Sequence, residues 1–223
     1  MRSLIPMPIW LVASAIAGYL IGTVLFADVV TGLARRRRPD ASDLRGVGSG
    51  NPGAANAMSH LGKGWASLVL AGDMGKGAAA TQLGRVVGGD AGAYAAAAGV
   101  VAGHCFPAQH GFRGGKGVAT SAGTTWVAFP IYVPFDVGLA VLSFVFSRHA
   151  AKATLFASSA FVAASVLWYR RGWTNLWGTR PTAGLPLYAI ATTAVIALRF
   201  AEVPRPRSRL DPHPGKALAD DGG

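Results

Sequence analysis

Residues 111–120 read GFRGGKGVAT: four glycines among the first seven positions, with Arg113 and Lys116 between them. Residues 46–56, GVGSGNPGAAN, have the same character, with Gly46, Gly48, Gly50 and Gly53 interleaved with Ser49, Asn51 and Asn56. Glycine tolerates positive φ and carries no side chain, so successive N–H groups can converge on one oxygen-rich ligand. Such concave runs of amides bind anions, and a helix N-terminus just beyond adds partial positive charge. The chemistry that suits both stretches is phosphate binding, with Lys116 and Arg113 supplying charge and Ser49, Asn51 and Asn56 supplying small polar groups. The alternative is a pair of Gly/Asn/Pro turns with ordinary flanking charges. A nucleotide-hydrolysing P-loop does not fit. Gly111 stands one residue too close to Gly115, and Lys116 is followed by Gly117 rather than Ser or Thr.

Three further residues could do chemistry. Asp73 and Lys76 are three apart in an apolar stretch, so on a helix they pair on one face. Ionisable groups in a span are costly and face the bundle interior, as components of a site or as a structural pair. His104 closes an apolar run just before the second glycine segment, either as a general base or phosphate donor or as a satisfied interfacial histidine. Cys105 is the only cysteine, so an intrachain disulfide is excluded, and no spacing suggests metal ligands.

The elements that must position these residues are apolar. Of 223 residues, 51% are hydrophobic and 14% charged, where a soluble domain carries about 25% charge. That composition predicts an all-α polytopic membrane protein. The net charge of +11 invites a nucleic-acid reading, but the cations lie at the ends of apolar segments and no nucleic-acid motif accompanies them. A first span is expected at 8–30. Ala13-Ser14-Ala15 resembles a cleavage site, but apolar residues run on to Phe26, so an uncleaved helix is expected. A polar loop follows at 31–63, then spans at 64–84 and 91–108, and a second loop at 109–117. Residues 118–146 hold Pro130 and Pro134 midway and read as two short helices. Two more spans fall at 153–169 and 185–200. This gives about seven helices in one membrane domain, 1–202, and a disordered cytoplasmic tail at 203–223. With the amino terminus outside, fifteen of the 21 Lys and Arg residues fall on the cytoplasmic side, with both glycine segments. Arg170 and Arg171 fall on the other.

The stretches DLRGVGSGNPGAAN (43–56), DMGKG (73–77) and GHCFPAQHGFRGGKGVAT (103–120) together resemble the bacterial acyl-phosphate:glycerol-3-phosphate acyltransferase family along about residues 8–200. The resemblance implies a seven-helix enzyme of the bacterial cell membrane, its active site facing the cytoplasm. It implies transfer of a fatty acyl group from acyl phosphate to the 1-hydroxyl of glycerol 3-phosphate, giving lysophosphatidic acid and phosphate. It implies no cofactor and no metal, and as partners only the two substrates and membrane lipid. Oligomeric state is open, with a monomer compatible. By position, Ser49, Lys116 and His104 carry catalytic roles. Arg45, Gly48, Gly50, Asn51, Gly53, Asn56, Arg113, Gly114, Gly115 and Gly117 form the phosphate cradles, and Asp73 and Lys76 support them.

The chain departs from the family pattern. The first motif ends in Asn-x-x-Arg there, and Asn56 is followed here by Ala57, Met58 and Ser59; the Thr before that Asn is Ala55. The last helix ends in Arg-His-x-x-Asn there and reads Arg199-Phe200-Ala201-Glu202-Val203 here. The Ser-rich third motif reads SRHAA at 147–151. A catalytically silent or repurposed relative that binds lipid or phosphate in the membrane is therefore the alternative function. The H-x-x-x-x-D signature of other glycerol phosphate acyltransferases is absent. Five residues beyond each histidine stand Trp65, Gln109, Gly115, Thr154 and Leu218.

Overall fold

A computed structural model describes residues 8–147, 149–176 and 181–202. All regular structure among them is helical, as expected of a chain whose backbone polar groups must be satisfied without water. The helices are α1 Ile9–Thr23, α2 Phe26–Arg37, α3 Ala54–His60, α4 Lys63–Cys105, α5 Val118–Ala128, α6 Val133–Ser147, α7 Ala150–Arg171 and α8 Gly184–Ala201. Four stretches, 9–37, 63–110, 151–171 and 184–201, are long and apolar enough to cross a membrane. The protein is a multi-pass membrane protein.

Three boundaries differ from those expected. The first span is not continuous to residue 30. It breaks at Val24 and Leu25, and α2 carries the chain on to Arg37, so Arg35–Arg37 form the last turn of a helix. Basic residues there suit the negative end of the helix dipole, and Arg35 donates from Nε to Ala41 O at 2.8 Å. The polar segment 31–63 also holds α3. The expected spans at 64–84 and 91–108 are two arms of α4, folded back at Gly88 (φ −143°, ψ 29°) and Gly89 (φ 59°, ψ −151°). Only glycine takes the second of these without strain. The reading of 118–146 as two short helices holds: a 3₁₀ turn at Pro130–Tyr132 separates α5 from α6. The tail at 203–223 lies outside the described residues, as do Arg148 and Arg180.

The bundle closes on small residues. A Cβ on Gly18 or Gly22 of α1 would lie 2.2 Å from Ala96 O or Val100 O, and one on Gly99 or Gly103 of α4 would lie 2.2 or 2.1 Å from Ala15 O or Tyr19 O. Two Gly-x-x-x-Gly faces thus let α1 and the second arm of α4 meet backbone to backbone, which is how helices gain contact where lipid removes the hydrophobic drive. Gly77 and Gly123 do the same between the first arm of α4 and α5, against Thr120 O (2.3 Å) and Met74 O (1.9 Å). At the end of α5 remote from the second glycine segment, Tyr94, Phe129, Tyr132, Phe161 and Tyr188 form an aromatic core with α7 and α8.

Candidate active site

The first glycine segment is pinned from below by Asn56, in the first turn of α3. Its Nδ2 donates to Leu44 O (2.7 Å) and Val47 O (3.1 Å), and its Oδ1 accepts the Ser49 N–H (3.2 Å). The residue is buried, and its side-chain amide is engaged in shaping the loop. The amides of Gly50 and Gly53 are likewise engaged, by Val47 O and Asn51 O, both at 2.9 Å. Gly48 (φ 55°) is held where a Cβ would lie 2.2 Å from His60 Cε1 and 2.3 Å from Asn56 Oδ1. His60 accordingly sits under the loop, its Nδ1 3.0 Å from Asn56 O. Ser49 is exposed at the crest. Its Oγ accepts the Asn51 N–H at 3.4 Å, and its own O–H remains a donor. Arg45 forks onto Asp28, Nη1 to Oδ1 at 2.5 Å and Nη2 to Oδ2 at 2.9 Å. That hydrogen bonding raises its pKa further.

The second segment folds back onto the end of α4. The amides of Gly111, Phe112 and Arg113 bond to Ala108, Pro107 and His110 carbonyls. Those of Gly114 and Gly115 donate to Cys105 O and His104 O, both at 3.0 Å. Both amides are therefore engaged within the protein. They cap the last carbonyls of α4, which a helix end otherwise leaves without partners. Both positions require glycine, since a Cβ would lie 1.9 Å from His104 O or 2.1 Å from His104 Nε2. The amides that a helix start leaves without intrahelical partners come one step further on. Gly117 (φ 81°) caps α5, whose first turn, at exposed Val118 and half-buried Ala119, offers N–H groups at the positive end of a helix.

Beside that helix start the charge is clustered. Lys116 Nζ lies 4.6 Å above the ring of Phe200. Arg199 donates from Nη2 to Gly114 O (2.8 Å) and from Nε to Gly115 O (3.3 Å), and pairs with Glu202. Partial burial, and then the charge of Arg199, lower the pKa of Lys116 below that of a free lysine. Arg113 is exposed on the same loop, within electrostatic reach of Arg199.

Beneath the second segment lies a closed polar cluster. Lys76 and Asp73 pair at 2.9 Å, as their spacing predicts, and Lys76 also donates to Gly22 O (3.1 Å) and Val24 O (2.6 Å). Its Nζ lies 2.7 Å from His104 Nδ1, which is 3.4 Å from Asp73 Oδ1. Asp73, Lys76 and His104 are 2%, 6% and 3% exposed. His104 turns Nδ1 to Lys76 and Nε2 to Gly115, where a Cβ would lie 2.1 Å away. The cluster thereby joins the break after α1, both arms of α4 and the second glycine segment.

Four residues with a structural part here were not singled out by spacing. Arg199 holds the carbonyls of Gly114 and Gly115. Gln109 donates to Thr23 O at 2.8 Å. Asp28 receives Arg45, and His110 Nε2 lies 3.3 Å from Asp28 Oδ2. Asp28 carried a signal, a lone carboxylate in the apolar run Phe26–Val30 that must find a partner.

A family model described as glycerol-3-phosphate acyltransferase matches residues 12–205. A glycerol-3-phosphate acyltransferase of Maricaulis maris is 44% identical over 132 residues, which are 59% of this chain and 56% of that relative. One of Thermoanaerobacter pseudethanolicus is 34% identical over 158 residues, 71% of this chain and 77% of the relative. The fold is similar to a crystal structure of PlsY (YgiH), described as an integral membrane glycerol 3-phosphate acyltransferase, in its glycerol 3-phosphate form. The TM-score is 0.69 at 28% identity, covering 85% of this chain and 87% of that one. The lysophosphatidic acid form gives 0.67 at 27% identity, covering 86% and 88%.

Proposed function

Because this chain belongs to the glycerol-3-phosphate acyltransferase family, we propose that it transfers a fatty acyl group from acyl phosphate to the 1-hydroxyl of glycerol 3-phosphate. The observation that carries this reading is the meeting of the two glycine segments, joined through Arg45, Asp28 and His110, beside a cationic helix start with Lys116 and Arg199. Both substrates are phosphates and one has a lipid tail, so two anion sites at the end of an apolar bundle suit the pair.

In the reaction the hydroxyl oxygen attacks the acyl carbon. The bond from that carbon to the bridging phosphate oxygen breaks, its electron pair leaving with phosphate. The hydroxyl proton passes to a phosphate oxygen, so the products are the ester and hydrogen phosphate. The protein's part is placement and charge. Lys116 and the first amides of α5 receive the acyl-phosphate oxygens and stabilise the departing charge. Ser49 donates its hydroxyl to substrate phosphate, with Asn51 and the Gly48–Gly53 turn around it. His104, Asp73 and Lys76 hold the second loop in place. Seven crossings, with the site facing the cytoplasm of a bacterial cell, fit the arginine-rich end of α2. The test is phosphate release from acyl phosphate by protein in lipid. Release that depends on glycerol 3-phosphate supports transfer, and release independent of it contradicts it.

One observation favours a silent relative. Ser59 stands where the family motif has Arg, and Phe200, stacked under Lys116, stands where it has His. That protein would bind glycerol 3-phosphate without turning it over, which calorimetry beside the release assay distinguishes.

A further inference from the structure

Asp28 is a carboxylate in a segment apolar enough to span a membrane, and such a group needs a reason to be there. The chain breaks at Val24 and Leu25, so Asp28 falls in the first turn of α2, where a negative charge is favoured by the helix dipole. Both of its oxygens are used. Arg45, three residues before Gly48, takes them with its two Nη groups. His110, three residues before Arg113, lies 3.3 Å from Oδ2. Arg45 is set in turn by Asp43, whose Oδ1 accepts the Arg45 N–H at 2.9 Å and lies 3.6 Å from Nη1. The 3₁₀ turn that carries His110 is seated a second time on the same break, through Gln109 and Thr23 O. One carboxylate therefore ties the first glycine segment to the second. It does so from a helix that belongs to neither, through side chains that are a quarter to a third exposed.

We propose that Asp28 is a positioning residue that fixes the distance between the two phosphate-binding segments; this rests on the acyltransferase reading above. A bidentate Arg–carboxylate pair fixes angle as well as distance, which a single contact does not. Each segment can fold around its own ligand without Asp28, because Asn56 shapes the first and α4 the second. What Asp28 adds is register between them, and two bound substrates must be held within reacting distance for transfer.

The expected signature of Asp28→Asn is a split. Affinity for glycerol 3-phosphate alone, and for an unreactive acyl phosphonate alone, stays within about 3-fold of wild type. Turnover falls at least about 10-fold, with partial recovery in Asp28→Glu. Equal loss of both affinities and turnover, or unchanged turnover, overturns the proposal. A readout independent of activity is the distance between spin labels at Ala55→Cys and Phe112→Cys, two exposed positions, in a Cys105→Ala background. A narrow distribution that broadens in Asp28→Asn supports the tie, and an unchanged one overturns it even if the chain proves to have no transferase activity. If Asp28→Asn does not fold, His110→Ala is read the same way, and Arg45→Lys is read by the spin-label distance alone. Lysine cannot reproduce the fork, so Arg45→Lys broadens the distribution if the tie is real.

Discussion

The ammonium of Lys116 lies over the ring of Phe200, 4.6 Å from its centroid. A cation held on an aromatic face is worth about 0.5–2 kcal/mol, and Arg199 holds the two carbonyls just before it. The charge is therefore placed by the fold. Removing one such preorganised group from developing charge costs about 100- to 1000-fold in turnover. Lys116→Ala is expected to lose that much in steady-state kinetics. Lys116→Arg is expected to retain part.

Phe200 itself gives a prediction of opposite sign. The family pattern implied by the resemblance has histidine at this position, and the proposed site would bring a substrate phosphate to it. Phe200→His keeps an aromatic ring under Lys116 and adds a donor, so kcat/KM is expected to rise by about 10-fold, the worth of a hydrogen bond to a charged group. Phe200→Ala removes the support and is expected to lower it. Kinetics of both variants at fixed acyl phosphate concentration check this, and a fall in both contradicts it.

The acid–base behaviour of Lys116 has a sign. Burial and the neighbouring Arg199 lower its pKa, and transfer needs the charged form. Activity is therefore expected to fall as pH rises through a value below the 10.5 of an ordinary lysine. Lys116→Arg is expected to move that limb upward, because guanidinium stays charged. A pH profile of kcat/KM for wild type and variant measures the shift.

The buried cluster predicts stability effects. Asp73→Ala leaves Lys76 unpaired within a span, a loss of about 3–5 kcal/mol. Thermal unfolding in detergent is expected to show a large fall in Tm. Gly115→Ala forces a methyl group toward His104 Nε2 and is expected to lower Tm as well, by displacing the loop. Ser59→Ala, on the exposed face of α3, is expected to leave Tm unchanged.

Much of this was legible in the sequence, in a specific way. Low charge, apolar runs and paired prolines located the helices, and the i, i+3 spacing of Asp73 and Lys76 foretold their pairing. Backbone accounting was not legible. Glycine-rich composition shows that amides can converge, but not whether they face a ligand or cap a helix. For Gly114 and Gly115 the nearby α4 carbonyls claim them. Asn56 is a similar case, since a polar side chain in a loop reads alike whether it faces out or in. Asp28, Gln109, His110 and Arg199 act across 17 to 86 residues of chain, beyond the reach of any local spacing. The break at Val24 and Leu25 carried no proline or glycine to mark it.

The central claim is tested most directly by giving the purified protein, in lipid, palmitoyl phosphate and radiolabelled glycerol 3-phosphate, with Lys116→Ala alongside. The account predicts labelled lysophosphatidic acid from the wild type, reduced about 100-fold or more in the variant. No labelled product from folded, inserted wild-type protein, or equal product from the variant, would contradict it.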